Sequence, residues 1–219
     1  MKIQSWFNSN SEYDIKRHYS VIQHSAFNIQ HSDINTYISI LRGINVSGKN
    51  LIKMDALKSL YSGLGFVNVT TYIQSGNVVF QSELNDTATV GQLISDGILN
   101  LFQLRVPVLI REYNELKTIL KANPFLNGGG EDISKLHITF LSELPEESRV
   151  QSILDASFNP DEFFVNGKTV YLLCPNGYGN TKLSNSFFES KLKVTATTRN
   201  LRTIYELERI GGLIENGGG

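Results

Sequence analysis

Residues 161–174 read DEFFVNGKTVYLLC, and this stretch decides the fold of the second half of the chain. Two runs rich in aromatic and branched residues stand on either side of Asn166-Gly167. An Asn-Gly pair in this position favours a tight β-hairpin, because both residues adopt a positive φ at low cost. Helical patterns stand before and after the hairpin, and a strand pattern lies outside each helix. Residues 136–199 therefore predict the order β-α-β-β-α-β.

The same order of elements occurs once more, in the first half of the chain. Residues 68–82, NVTTYIQSGNVVFQS, predict a hairpin around Ser75-Gly76-Asn77. A further helix is expected after each set of six elements, over residues 113–122 and 201–210. The six elements form the ferredoxin-like split βαβ plait. The sequence therefore predicts an internal duplication and an α+β fold: two ferredoxin-like (βαββαβ) plait subdomains, each followed by an extra helix.

Composition marks the boundaries of these subdomains. The first residues are polar, rich in Asn, Ser and Gln and without a regular period, which is typical of disorder. Gly-rich segments separate and end the periodic parts. The predicted organisation is a disordered extension over residues 1–35, a first plait over 36–125, a linker over 126–134, a second plait over 135–210 and a Gly-rich tail over 211–219.

One face of each predicted sheet has no helix of its own plait to cover it. In the first strand Ile38 and Ile40 alternate with Tyr37, Ser39 and Leu41, so neither face of the strand is cleanly polar. Two plaits that share a buried or cleft-like interface would explain this pattern.

Composition and charge exclude several classes of function. The chain has 219 residues, 41% of them hydrophobic and 19% charged, with a net charge of −1. No segment is strongly basic, so we do not expect sequence-specific nucleic-acid binding. No apolar run reaches the ~18 residues of a spanning helix, and residues 1–14 lack the apolar core of a secretory signal. We therefore expect a soluble cytoplasmic protein with no membrane partner, whose oligomeric state stays open.

Few residues suit catalysis or metal binding. Cys174, the one cysteine, lies in an apolar strand, which is the setting of an inert buried thiol. No metal-ligand or nucleophile motif occurs in the chain, so no metal and no cofactor are expected. Asp55, Tyr72 and His137 are the candidate general bases.

The densest polar motif follows the first strand, where residues 41–50 read LRGINVSGKN. Gly48 allows a sharp turn whose N–H groups can bind an anion, and Arg42 and Lys49 lie beside it. The spacing of a phosphate-binding P-loop is present, but Asn follows the lysine where that motif needs Ser or Thr for Mg²⁺. The alternative is a Gly-rich connection in which Arg42 and Asn45 hydrogen-bond the loop itself.

The first hairpin also carries polar groups. Gln74, Ser75 and Asn77 offer donors and acceptors at its turn, although turn geometry alone can require them. RNA-binding plaits place aromatic residues on the equivalent strand, and SGNVVFQS lacks most of them.

Two further cations stand near turns in the second half. Lys182 lies beside the start of a helix that Asn180 or Thr181 is expected to cap, and a helix N-terminus favours anions. Arg199, at the end of the last strand, can pair with an anion or with a carboxylate of the fold.

These residues favour a binding module for an anionic or phosphorylated small molecule, held in a cleft between the two plaits. One alternative is an enzyme, a transferase or hydrolase that acts on such a ligand. Another is a protein-interaction module that uses an open sheet face. The candidate ligand-binding residues are Arg42, Asn45, Gly48, Lys49, Gln74, Ser75, Asn77, Lys182 and Arg199.

Six separated motifs resemble, in order, those of the bacterial family catalogued as domain of unknown function 1697. They are LRGINVSGKN (41–50), TYIQSGNVVF (71–80), NPF (123–125), LHITFL (136–141), PNGYGNTKL (175–183) and TTRNLRT (197–203). The resemblance runs from around Thr36 to Ile210, and it implies two ferredoxin-like subdomains with no assigned function. Where the family pattern has Gly, Ser and an aromatic residue, this chain has Ser47, Thr181 and Leu201.

Overall fold

Each half of the chain contains a complete βαββαβ plait. The computed structural model describes residues 34–126 and 132–217. The first plait consists of β1 (Asn35–Leu41), α1 (Met54–Gly63), β2 (Val67–Tyr72), β3 (Asn77–Ser82), α2 (Thr87–Phe102) and β4 (Val108–Glu112), and is followed by α3 (Tyr113–Lys121). The second consists of β5 (Leu136–Leu141), α4 (Glu147–Leu154), β6 (Glu162–Asn166), β7 (Thr169–Leu173), α5 (Asn185–Leu192) and β8 (Ala196–Asn200), and is followed by α6 (Leu201–Glu215). The predicted fold class, two plaits each with an extra helix, is confirmed.

The two sheets have the same topology. Their strand orders are β2-β3-β1-β4 and β6-β7-β5-β8, and all neighbouring strands are antiparallel. β1 and β5 are therefore central, and β4 and β8 are edge strands. In the first sheet Ile38 pairs with Arg111 across β1 and β4, and in the second Ile138 pairs with Arg199 across β5 and β8.

The helices and sheets lie in layers, with three apolar cores between them. α1 and α2 pack on the outer face of the first sheet, and α4 and α5 pack on the outer face of the second. α3 and α6 lie between the two sheets and bury the faces that the plaits leave uncovered. This central core includes Ile38, Ile40, Val79 and Leu109 of the first sheet, Ile138, Phe140 and Tyr171 of the second, and Leu116, Ile119, Ile204 and Leu207 of the helices.

The first hairpin turns at Gly76, whose φ is +75°. A Cβ there would lie 2.6 Å from Cδ1 of Ile44, so a side chain has neither the backbone angle nor the space it needs. The N–H of Leu41 donates to the Gly76 carbonyl at 2.9 Å. These contacts hold the hairpin turn against the polar loop that follows β1.

The last helix is longer than the sequence predicts. We expected it to end at Ile210 and to give way to a Gly-rich tail, but α6 continues to Glu215. A Cβ on Gly211 would lie 2.5 Å from Cδ2 of Tyr113 in α3. The glycine therefore permits close packing of α3 on α6 and does not end the helix.

The capping of α5 also differs from expectation. The expected cap at Asn180 or Thr181 is wrong, because the helix begins after Ser184, whose Oγ accepts the N–H of Phe187 at 3.3 Å. Thr181 Oγ1 instead accepts an N–H within the preceding loop.

Part of the predicted organisation falls outside the described residues. These parts are most of the 1–35 extension and, within the predicted linker, residues 127–131. In the described part of the chain, no helix has the length and apolar character needed to cross a membrane.

Candidate functional site

Arg199 ties the second plait to the first. Its Nε donates to Oδ1 of Asn77 at 2.6 Å, and its Nη2 donates to the carbonyls of Leu41 and Ser75, each at 2.8 Å. Nη1 makes two further bonds within β8. All five N–H groups of the guanidinium are thus engaged. Among the described residues Arg199 therefore bonds no carboxylate, one of the two kinds of partner expected from the sequence.

Arg111 makes the reciprocal connection from the first plait to the second. Its Nη2 donates to the carbonyls of Leu141 and Lys168, at 2.6 and 3.3 Å, and its Nη1 donates to Ile110 of its own strand. Its side chain is 2% exposed. Its Nε lies 3.1 Å from Oε1 of Glu115, but the N–H makes no hydrogen bond to any described residue. One buried donor of Arg111 is therefore unsatisfied, in contrast to Arg199.

The correspondence between the two arginines extends to the backbone around them. Equivalent N–H groups in the two halves donate to equivalent carbonyls, so the same connection occurs twice with the plaits exchanged. The pairs are Leu41 N–H to Gly76 O and Leu141 N–H to Lys168 O, and Arg42 N–H to Pro107 O and Ser142 N–H to Thr195 O, all at 2.9 Å. Position 42 in the first half thus corresponds to position 142 in the second.

At one of these two places, which we call the β8 junction (Arg42, Glu189, Ala196 and Arg199), the Glu189 carboxylate accepts hydrogen bonds from both plaits. Nε and Nη2 of Arg42 donate to the two carboxylate oxygens of Glu189, at 3.1 and 3.0 Å. The N–H of Ala196 donates to the same carboxylate at 3.2 Å. Burial raises the pKa of Glu189, but the hydrogen bonds from Arg42 and Ala196 and the charge of Arg42 outweigh it, so that the pKa is lowered. Burial, assisted by the charge of Arg42, lowers the pKa of Arg199 to about 10.

The polar loop after β1 is held by Asn45. Its Nδ2 donates to the carbonyls of Ile52 and Gln74, at 2.9 and 2.8 Å, and its Oδ1 accepts the N–H of Ile52. Asn45 therefore bonds the loop itself, as the alternative expected, whereas Arg42, which the same alternative assigned to the loop, bonds Glu189. Gly48 and Lys49 lie exposed at the tip of this loop.

Of the nine candidate ligand-binding residues, the structure brings five together by hydrogen bonds around the first hairpin turn. Asn77, which is fully buried, donates to the Tyr72 carbonyl and to Oγ of Ser75, and accepts from Arg199. Asn45, through its bond to the Gln74 carbonyl, completes this region, whereas the side chain of Arg42 bonds Glu189 instead. Lys49 and Lys182 are exposed, and neither ammonium has a partner among residues 34–126 and 132–217.

The second plait also meets the first at the edge of β4, the position equivalent to the β8 junction. There the plaits leave an open cleft of about 360 Å³, which we call the β4 cleft. Its walls are α2, the outer edge of β4 with the residue before it, and three residues of the second plait, Ser142, Lys168 and Thr195. Arg111 lies among the lining residues, and burial lowers its pKa while Glu115 opposes the shift. A volume of this size falls within the range of small-molecule sites.

The β4 cleft was missed in the sequence, although one signal for it exists. Arg111 and Arg199 each stand two residues before the extra helix of their plait, in the last strand. An alignment of the two halves on this feature would have paired them. Most of their acceptors are backbone carbonyls, which leave no mark in a sequence.

The candidate general bases lie on separate elements. Asp55 is exposed in the first turn of α1, and Tyr72 ends β2. His137 is 7% exposed in β5, with Nδ1 3.2 Å from the Lys135 carbonyl and Nε2 3.2 Å from Nδ2 of Asn200. Burial lowers the pKa of His137, while the bond to Lys135 opposes the shift. Both ring nitrogens of the buried histidine are thus occupied by protein groups.

Comparison with known proteins places the chain in a family. Residues 34–171, more than half of the chain, match the model of the family described as "Protein of unknown function (DUF1697)". The chain belongs to the DUF1697 family. The solved structure of the conserved bacterial protein SP0830 from Streptococcus pneumoniae is similar to this DUF1697 chain, with a TM-score of 0.65 and 19% identity over 81% of this chain and 99% of that one. At 19% identity, this similarity shows a shared fold and nothing about function. No curated protein shows significant similarity.

Position 201 can now be interpreted for this DUF1697 chain. Leu201, which stands where the family pattern has an aromatic residue, is fully buried at the start of α6. It belongs to the central core between the two sheets. At this position the chain therefore has a packing residue, and Leu201 is not among the residues that line the β4 cleft.

Proposed function

We propose that the chain is a binding module for an anionic or phosphorylated small molecule, held where the two plaits meet. The observation that carries the proposal is Arg111 in the wall of the β4 cleft, a nearly fully buried cation whose Nε–H lies 3.1 Å from the Glu115 carboxylate but makes no well-aligned hydrogen bond among the described residues. A buried donor without an acceptor costs free energy, and a ligand anion would supply the missing acceptor. Lys168 adds a second positive charge at the rim of the cleft.

The β4 cleft suits this role better than the β8 junction. In the β8 junction Glu189 already neutralises Arg42, and all five donors of Arg199 bond protein acceptors. An anion would have to displace these groups before it could bind. The β4 cleft is open, and its walls combine polar and apolar residues.

Thermal unfolding of the full chain in the presence of small anions tests this function. The probes are inorganic phosphate, a sugar phosphate, a nucleoside diphosphate and a dicarboxylate, each compared with NaCl at the same ionic strength. A ligand at 100 times its Kd adds about 2.7 kcal/mol, which raises Tm by about 5–11 °C for a chain of this size.

Two lysine variants locate the site. Lys168→Gln removes the charge at the β4 cleft and is expected to weaken binding. Lys182→Gln removes an exposed charge before α5 and is expected to leave binding unchanged. If no anion raises Tm above the NaCl control, the proposal is wrong. If only Lys182→Gln weakens binding, the ligand lies beside the turn before α5, which the sequence indicated, and not in the β4 cleft.

A further inference from the structure

We infer that the group bound in the β4 cleft is a carboxylate, and that Glu189 is its counterpart within the chain at the β8 junction. The inference rests on the proposed function and specifies its ligand. It follows from comparing the outward edges of β4 and β8, which correspond to each other in the two halves.

The edge of β8 shows how such a carboxylate is held. The bond from Ser142 N–H to the Thr195 carbonyl directs Thr195 towards β5. Because outward and inward groups alternate along an antiparallel strand, the N–H of the next residue, Ala196, points away from the sheet. It donates to Oε1 of Glu189 at 3.2 Å. Arg42 donates to both oxygens of the same carboxylate.

The edge of β4 repeats this geometry with no carboxylate in place. The bond from Arg42 N–H to the Pro107 carbonyl directs Pro107 towards β1. By the same alternation the N–H of Val108 points outward from the edge strand. Val108 lines the β4 cleft, and its N–H corresponds to that of Ala196.

The cations around the two positions differ in a way that favours an external ligand at β4. At the β8 junction Arg42 and the Glu189 carboxylate neutralise each other within the chain. In the β4 cleft Ser142 takes the position of Arg42, Arg111 is paired with Glu115 behind the wall, and Lys168 is the cation without a carboxylate partner among the described residues. None of the residues lining the cleft carries a negative charge.

Nuclear magnetic resonance with named probes tests the inference on the atom that carries it. Succinate and inorganic phosphate are titrated separately into the ¹⁵N-labelled full chain at constant ionic strength. We expect succinate to shift the amide resonance of Val108 and to leave that of Ala196 in place, since Glu189 already occupies it. An unmoved Val108 amide on succinate binding overturns the inference.

A gain of binding gives a second, independent test. Ser142→Arg places in the β4 cleft the side chain that Arg42 provides at the β8 junction, and is expected to tighten succinate binding about tenfold or more, as a charge-assisted pair does. Ser142→Gln has similar reach without charge and should stay within about twofold of the parent. Gln92→Glu, in the wall of the cleft, adds a negative charge and should weaken succinate binding.

The outcomes separate this inference from the proposed function. If phosphate binds at Lys168 and succinate does not, the anion-binding function holds and the carboxylate assignment is wrong. If neither anion binds the parent chain or Ser142→Arg, both are wrong. Far-UV circular dichroism of each variant verifies its fold, and Gln92→Glu, at an exposed position, provides the test even if the Ser142 variants are unstable.

Discussion

Replacing Arg199 by Met is expected to loosen the two plaits from each other. The variant loses three hydrogen bonds to the first plait, to Asn77, Leu41 and Ser75. Bonds from a charged donor contribute about 1.5–3 kcal/mol each, so their loss alone costs about 4.5–9 kcal/mol. Removing the buried guanidinium also ends its desolvation penalty, which is several kcal/mol for a charge without a carboxylate partner.

The recovered desolvation penalty offsets part of the lost hydrogen-bond energy. We expect the free energy of unfolding to fall by about 3 kcal/mol, which lowers Tm by about 6–12 °C. Urea unfolding at pH 7, followed by far-UV circular dichroism and extrapolated linearly to water, measures it. Arg202→Met is the matched control, because Arg202 is 65% exposed and lies 3.9 Å from Asp132. That control should change stability by less than about 0.5 kcal/mol. Equal stabilities of the two variants would refute the structural role assigned to Arg199.

Three further expectations concern other parts of the fold. Gly211→Ala should destabilise the chain by about 1–3 kcal/mol because its Cβ would collide with Tyr113, whereas Gly63→Ala, with open space around it, should be nearly neutral in the same urea experiment. Glu189→Gln should be less stable than the parent at pH 7, with the difference shrinking as pH falls below about 4.5, because the lowered pKa of Glu189 contributes stability only while the carboxylate is ionised; unfolding curves across pH 3–7 measure this. The Cys174 thiol, fully buried and with its pKa raised by burial to about 11, should react with a disulfide reagent at pH 8 only after unfolding; rapid labelling of the native chain would contradict its placement.

The fold could be predicted from the sequence because its signals are local. The Asn166-Gly167 turn and the spacing of apolar residues each depend on a few neighbours in the chain, and they specify the order of elements in both halves. Boundaries were less accurate where tertiary packing intervened. Glycine is common at helix ends, so the sequence around Gly211 predicts that the helix stops there. Its close packing against Tyr113, far away in sequence, instead places it inside α6.

The candidate site was only partly predictable, for a physical reason. The sequence identified Arg42 and Arg199 as notable cations, and the structure brings both to the β8 junction. It could not show that Glu189 neutralises Arg42, or that Asn77 and two backbone carbonyls of the first plait bind Arg199, since these partners come from distant segments. Arg111 was overlooked because an arginine at the end of a strand usually lies in solvent.

The reciprocal arginines give the two halves of the chain the geometry of an isologous dimer, in which each copy offers the other the same surface. In such a dimer of separate copies, symmetry would make both interfaces identical. A tandem chain has no such constraint, because each half has its own sequence. Here one interface holds Arg42 and Glu189, while the other holds Ser142 and an open cleft. The covalent link between the plaits therefore allows the proposed anion site to occur once per chain, whereas symmetry in a dimer of identical copies would repeat it.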